Sequence, residues 1–213
     1  VKIVYKGHAC FLVDAREGRV LTDPYDEDVP YDLGIPAADV VTVSHDHGDH
    51  NAVHRVAGSP AVFAGVGRST IRGIPFLGVA SFHDEARGSE RGDSRIVAFT
   101  LEGIRLAHFG DLGTRLDGAQ RKALADVEIA FIPVGGLYTI DASRAADVVR
   151  SLPRLRVAIP MHYRTDRTAD WPIETVEPFL EMMDNVRRAG SSEVEVSRER
   201  LPEALEVWTL DHA

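Results

Sequence analysis

Residues 44 to 50 read Ser44-His45-Asp46-His47-Gly48-Asp49-His50, so that three of the chain's nine histidines fall within seven positions. They follow the apolar run Val40-Val41-Thr42-Val43, whose β-branched residues predict a strand buried on both faces. In extended backbone, side chains two apart point the same way, which makes His45 and His47 a chelating pair for one cation. Gly48 permits a sharp turn, and Asp49 and His50, at the start of a short helix expected over 51–58, aim at a second ion nearby. Imidazole nitrogen and carboxylate oxygen are the donors that zinc and neighbouring divalent metals prefer. The competing account is a solvated loop rich in His and Asp by chance. It requires a coincidence of about one in a thousand for a chain of this length.

Outward from this cluster the pattern is that of an α/β protein. Apolar runs of strand length precede it at 1–5, 9–14 and 18–23, and others follow at 60–64, 76–83, 94–102 and 104–110, with Gly103 marking a hairpin. In the last third, helical patterns at 116–126, 142–152 and 173–190 alternate with buried strands at 127–134 and 156–161 and a final strand at 205–210. Pro178 predicts a kink or break inside the third helix. With 213 residues, 44% of them hydrophobic, and no repeat or linker-like stretch, the expectation is one domain over 1–213. It comprises two sheets with helices on their outer faces.

Charge and composition narrow the partners. A formal charge of −9 disfavours nucleic acid and anionic membrane surfaces, which are held by clustered Lys and Arg, so a small-molecule substrate is expected. The single cysteine, Cys10, forms no internal disulfide, which favours a cytoplasmic location. No apolar stretch reaches the roughly 18 to 20 residues of a membrane span, and the opening residues are too short and interrupted for a signal segment. No Gly-x-Ser-x-Gly, Walker loop or dinucleotide glycine fingerprint is present, and Cys10 lies in a strand pattern.

The spacing His-x-His-x-Asp-His at His45, His47, Asp49 and His50 resembles the signature of the metallo-β-lactamase superfamily. Further landmarks stand in that family's order: Thr22-Asp23-Pro24-Tyr25, the isolated His83, His108-Phe109-Gly110-Asp111-Leu112-Gly113, Pro133-Val134-Gly135-Gly136, and Pro160-Met161-His162-Tyr163. The early Gly7-His8-Ala9-Cys10 and the Gly110–Gly113 turn most resemble the small subgroup that includes ascorbate-6-phosphate lactonase. The resemblance implies a four-layer αββα sandwich with a metal centre, most simply two zinc ions, at one edge between the sheets; Mn, Fe or Mg would also suit. It implies His45, His47 and a third histidine on the first ion, Asp49, His50 and His162 on the second, and Asp111 bridging them. Asp49, Asp111 and His162 are then the expected catalytic residues.

For the third histidine, His83 is preferred to His108, because closing the first ion's coordination calls for a ligand from a separate element. His108 then lines the pocket or supports a ligand. Asp23 is expected to orient the histidine loop, with a simple turn as its alternative. His8 faces either the pocket or the surface. His54 is expected to face solvent, and His212 receives no role.

The implied reaction is hydrolysis, in which water or hydroxide shared by two ions attacks a carbonyl or phosphoryl centre, as in a lactone or phosphoester. Arg87, Arg91, Arg95, Arg164 and Arg167 flank the candidate ligands and would favour an anionic substrate if they ring the pocket. The closely mixed charges of 83–95 favour instead a solvated, internally paired loop there. A metal-dependent sensor or binding protein without turnover is a rival reading. A superfamily nuclease is another, although the charge and length provide no nucleic-acid arm.

Overall fold

The computed structural model describes residues 1–213 and contains two sheets packed face to face. The first third supplies β1 (Lys2–Gly7), β2 (Cys10–Ala15), β3 (Gly18–Thr22), β4 (Val40–Thr42) and β5 (Ala61–Phe63). The middle supplies β6 (Gly67–Ile71), β7 (Ile74–Phe82), β8 (Asp93–Leu101) and β9 (Ile104–His108). The remainder supplies β10 (Ile129–Pro133), β11 (Val157–Met161), β12 (Val186–Arg188), β13 (Glu193–Glu195) and β14 (Glu206–Thr209). The smaller sheet has the order β13-β1-β2-β3-β4-β5 and the larger β12-β14-β11-β10-β9-β8-β7-β6.

Strand chemistry explains the layering. β1 alternates, burying Ile3 and Tyr5 against the other sheet, whereas β10 and β11 are buried at every position because both of their faces are covered. The inter-sheet core runs through a stack in which Tyr5 lies 4.7 Å from Phe11, and Phe11 lies 4.2 Å from Phe131 of the opposite sheet. Pro160 is tolerated in central β11 because the pairing of β14 has ended there: its register reaches only Val157 and Ala158.

The outer layers are unequal. Helices α2 (Gly118–Ala123), α3 (Ala142–Ser151) and α4 (Glu177–Leu180) cover the larger sheet over a cluster of 25 buried apolar residues. On the smaller sheet, a nine-residue cluster including Tyr25, Val29, Tyr31 and Leu33 lies under the irregular segment 23–39. The sandwich is therefore formed as expected, but one of its outer layers is mostly loop. No helix is long and apolar enough to cross a membrane.

Three expectations are corrected. The helix expected over 51–58 begins earlier, as α1 (Gly48–Asn51), and is followed by a 3₁₀ turn at Val53–Arg55. The helix expected over 173–190 is reduced to the single turn α4: Pro178 occupies its first turn rather than kinking a longer helix, and Val186–Arg188 pairs in parallel with β14 as an edge strand. Edge strands β6, β12 and β13 are short or polar and gave no apolar run to detect. Leu116–Asp126 shortens to α2, begun by a reciprocal Asp117–Gln120 capping box.

Phe11→Ala removes the ring that joins the two sheets and is expected to cost about 3–5 kcal/mol, read as a lower midpoint in urea unfolding.

Candidate metal centre

Six strands deliver the candidate residues. His8 follows β1, Asp23 follows β3 and the histidine cluster follows β4 in the smaller sheet, while His83, Asp111 and His162 follow β7, β9 and β11 in the larger. The pairing makes the three strands of each set mutually parallel, so within each sheet the donors emerge from the same, carboxyl-terminal, end. There the sheets are joined by backbone: the His162 N–H donates to the His8 carbonyl at 2.9 Å, and the Arg95 N–H to the Ser44 carbonyl at 3.0 Å.

The donors converge on Asp111. Its Oδ2 lies 3.1 Å from His162 Nε2 and 3.2 Å from His83 Nε2, and its Oδ1 lies 3.3 Å from His50 Nε2. Two donor sets flank it, each compact enough for one ion: His45, His47 and His83, and His8, Asp49, His50 and His162. His83 thus joins the His45–His47 pair. His108 is occupied elsewhere, its Nε2–H donating to the Ala9 carbonyl at 2.7 Å and its Nδ1 accepting from the Gly110 N–H at 3.2 Å. His8 is buried and faces the centre, with Nε2 3.1 Å from Asp49 Oδ2. His54 is exposed, and His212 pairs with Asp166 at the surface.

Asp23 aligns two candidate donors at once, His50 directly and His45 through Ser44. Its Oδ1 accepts the Ser44 N–H at 2.8 Å, and its Oδ2 accepts the Ser44 hydroxyl and His50 Nδ1–H, the latter at 2.9 Å. Because the Ser44 proton goes to Asp23, the Ser44 oxygen accepts from His45 Nδ1–H at 2.9 Å. Both tautomers are thereby fixed with Nε2 toward the centre. His45 Nε2 is buried without a hydrogen-bond partner, and Asp111 Oδ1 has only its 3.3 Å contact with His50 Nε2.

Local backbone serves this geometry. His8, Asp23 and His162 have φ of 54°, 40° and 52°, in the left-handed region where each non-glycine residue costs about 1–3 kcal/mol. Gly135 lies so close to the turn after β11 that a Cβ would stand 2.3 Å from the His162 carbonyl oxygen, and one on Gly113 would stand equally close to the His83 carbonyl carbon. These glycines let the loops bearing His162 and His83 approach their neighbours.

The electrostatics are those of a crowded charge cluster. Burial, with the neighbouring His162, lowers the His8 pKa to about 4, and burial with His50 lowers that of His45 to about 3. Burial would also lower His50, but Asp111, Asp23 and Asp49 outweigh it and raise its pKa well above 6.5. Burial opposes ionisation of Asp111, yet His162 and His50 hold its carboxyl well below the usual range.

The cavity over these residues measures about 440 Å³. Its floor is His8, His47, Asp49, His83, Asp111 and His162; its walls are Arg91, Tyr138, Trp171 and Pro172. Of the five flanking arginines, only Arg91 reaches it. Arg95 instead donates to the Val43 carbonyl at 3.0 Å. The sequence reading missed the three other wall residues. Trp171-Pro172, an aromatic–proline pair within a polar stretch after His162, was the available signal.

A two-sheet sandwich carrying a His/Asp cluster with metal-ligand spacing at its strand ends is the class that fold and site define. Residues 2–162 match the family profile described as a beta-lactamase superfamily domain. A UPF0173 protein of Pyrococcus furiosus is 34% identical over 187 residues, covering 80% of this chain and 87% of that protein. The UPF0173 metal-dependent hydrolase of Thermoplasma volcanium is 31% identical over 193 residues, covering 78% and 84%. A crystal structure from Thermotoga maritima, described as of the metallo-beta-lactamase superfamily, superposes with a TM-score of 0.83 at 33% identity, covering 100% of this chain and 99% of that one. The chain belongs to the metallo-β-lactamase superfamily.

In chelator-treated protein, His8 and His45 must stay neutral on folding while the unfolded chain binds protons as pH falls below 6.5, so stability declines from there toward pH 4. The raised pKa of His50 contributes stability that is present below 6.5 and lost as pH rises toward its folded value. Thermal unfolding without metal is expected to give a maximum Tm near pH 6.5, and reloading with Zn²⁺ to remove the alkaline decline.

Proposed function

We propose that the protein is a metal-dependent hydrolase of small molecules, using two divalent ions, most simply zinc. The observation that carries this reading is the placement of the Asp111 carboxylate, whose two oxygens face histidines of both donor sets. The residues fit such ions: the donors are imidazoles and carboxylates, and His45 Nε2 is buried without a partner. His45, His47 and His83 would hold the first ion, Asp49, His50 and His162 the second, with Asp111 between them. When bound, a pair of divalent ions supplies Lewis acidity toward a carbonyl or phosphoryl centre and lowers the pKa of water toward neutrality.

The chain's own residues prepare the site. Asp23 and Ser44 hold His50 and His45 as Nε2 donors, so no reorientation is needed on loading. Asp49 is held ionised: burial opposes this, but hydrogen bonds with His50 and His8 keep its carboxyl well below the usual range. It is thus available as an anionic donor to a cation, with its Oδ2 beside His8 Nε2. Trp171 and Pro172 exclude water from one side of the cavity.

His45→Ala with His47→Ala is expected to remove the first ion in elemental analysis and abolish hydrolysis across a panel of lactone, phosphodiester, thioester and β-lactam substrates, with the circular dichroism spectrum unchanged. Retained turnover overturns the reading. Asp23→Asn, which touches no substrate, is expected to weaken metal affinity about 10–100-fold, measured by competition with a fluorescent chelator.

A further inference from the structure

We propose that Arg91 is the specificity determinant of this pocket and that the preferred substrate is a predominantly apolar molecule carrying a single negative charge, such as an aryl or acyl carboxylate bearing the bond to be cleaved. The inference rests on the hydrolase reading for the bond and on the pocket walls for the rest of the molecule.

The walls are asymmetric in chemistry. Trp171 stands edge-on to His8, with ring centroids 5.3 Å apart, and Pro172 continues that side. Opposing polarity comes from one cation, Arg91, whose guanidinium lies 5.7 Å from the centroid of the Tyr138 ring. At the same wall Tyr138 is 40% exposed, and its neighbour Leu137, 57% exposed, adopts φ 56° in the adjoining groove that Arg91 also lines. Fold stability gains little from holding exposed apolar side chains on strained backbone, whereas a ligand that covers them does.

Arg91 is held by the loop and only weakly neutralised. Buried Asp84, next to His83, accepts the backbone N–H groups of Gly88, Glu90 and Arg91 at 2.9, 3.1 and 2.7 Å, which folds the loop back toward the strand end. The Glu85–Arg144 ion pair fastens the same loop to α3. One short segment therefore sets the backbone of both His83 and Arg91, and the Tyr138 ring lies beside the Arg91 guanidinium. The carboxylate nearest Arg91 is that of its neighbour Glu90, at 3.9 Å, too far for a hydrogen bond and a weak ion pair between side chains open to solvent. A carboxylate entering the cavity would meet a guanidinium still able to bind it in a forked geometry.

A polar dianion fits less well. Arg91 is the one arginine or lysine on the cavity lining, and the other wall residues offer rings rather than the several donors that a phosphorylated sugar requires. Of the lactone and phosphoester that the resemblance implies, the pocket walls favour the carbonyl substrate.

The test measures binding to the metal-loaded protein without turnover, by calorimetry and by fluorescence of Trp171, with Trp171→Phe as the control that leaves Trp208 as the one remaining tryptophan. The probes are 4-phenylbutyrate, its neutral amide 4-phenylbutanamide, and glucose 6-phosphate. We expect the carboxylate to bind about tenfold tighter than the amide and than the sugar phosphate, and Arg91→Gln to erase the preference over the amide while metal content stays unchanged. Arg91→Lys is expected to restore part of it. Equal binding of acid and amide, tighter binding of glucose 6-phosphate, or a preference that survives Arg91→Gln because the anion sits on the metal would each overturn the proposal. Binding selectivity dependent on Arg91 without hydrolysis of any lactone, ester, phosphodiester, thioester or β-lactam would refute the hydrolase reading alone; hydrolysis with no such dependence would refute only this inference. For esters that are turned over, Arg91→Gln is expected to raise KM and leave kcat nearly unchanged.

Discussion

The structure depends on accommodating the Asp111 carboxylate, buried among His50, His83 and His162, in a seam that also contains Asp23 and Asp49. An unpaired carboxylate in such surroundings is strongly unfavourable, and a cluster of imidazoles compensates it only by charging some and keeping others neutral. The opposite shifts of His50 and His45, neighbours with ring centroids 4.3 Å apart, express that conflict. A divalent cation resolves it without protons, because every imidazole then offers a lone pair and every carboxylate a charge. The seam is therefore organised around a ligand, and the sandwich on either side supplies the rigidity that holds like groups together.

That rigidity has a recognisable origin. The donors leave parallel strands at one end of each sheet, and the sheets are tied there by the His162-to-His8 and Arg95-to-Ser44 backbone bonds. Positive φ at His8, Asp23 and His162 is the cost of turning the chain within one residue of a strand end. The aromatic stack from Tyr5 through Phe11 to Phe131 joins the same two sheets immediately behind this end, so core packing and site geometry share elements.

Much of this was legible in the sequence, for physical reasons that differ between parts. Central strands announce themselves because burial on both faces demands unbroken apolar runs, as at Ile129–Pro133 and Val157–Met161. The donors were legible because chelation restricts residue type and spacing together. The 173–190 segment was misread because its apolar residues match a helical period, while Pro178 and the parallel pairing of Val186–Arg188 with β14, a contact distant in sequence, decide otherwise. The outer layer of the smaller sheet was equally hidden, since Tyr25, Tyr31 and Leu33 bury their side chains from irregular backbone that carries no period.

The contrast between floor and walls follows from the same distinction. Floor residues such as His83, Asp111 and His162 stand just past strand ends, where close packing couples each to its neighbours. The walls come from three irregular stretches, 84–92, 136–139 and 164–175, which meet only in the folded chain and whose hydrogen bonds are largely internal, as the Asp84 clamp illustrates. Arg91, Tyr138 and Trp171 thus stand on irregular backbone rather than on the strands that carry the donors, with Trp171 meeting His8 edge-on. A fold built in this way can keep one reaction centre while changing the molecules presented to it, which is why the centre is read from a motif and the substrate only from the assembled pocket.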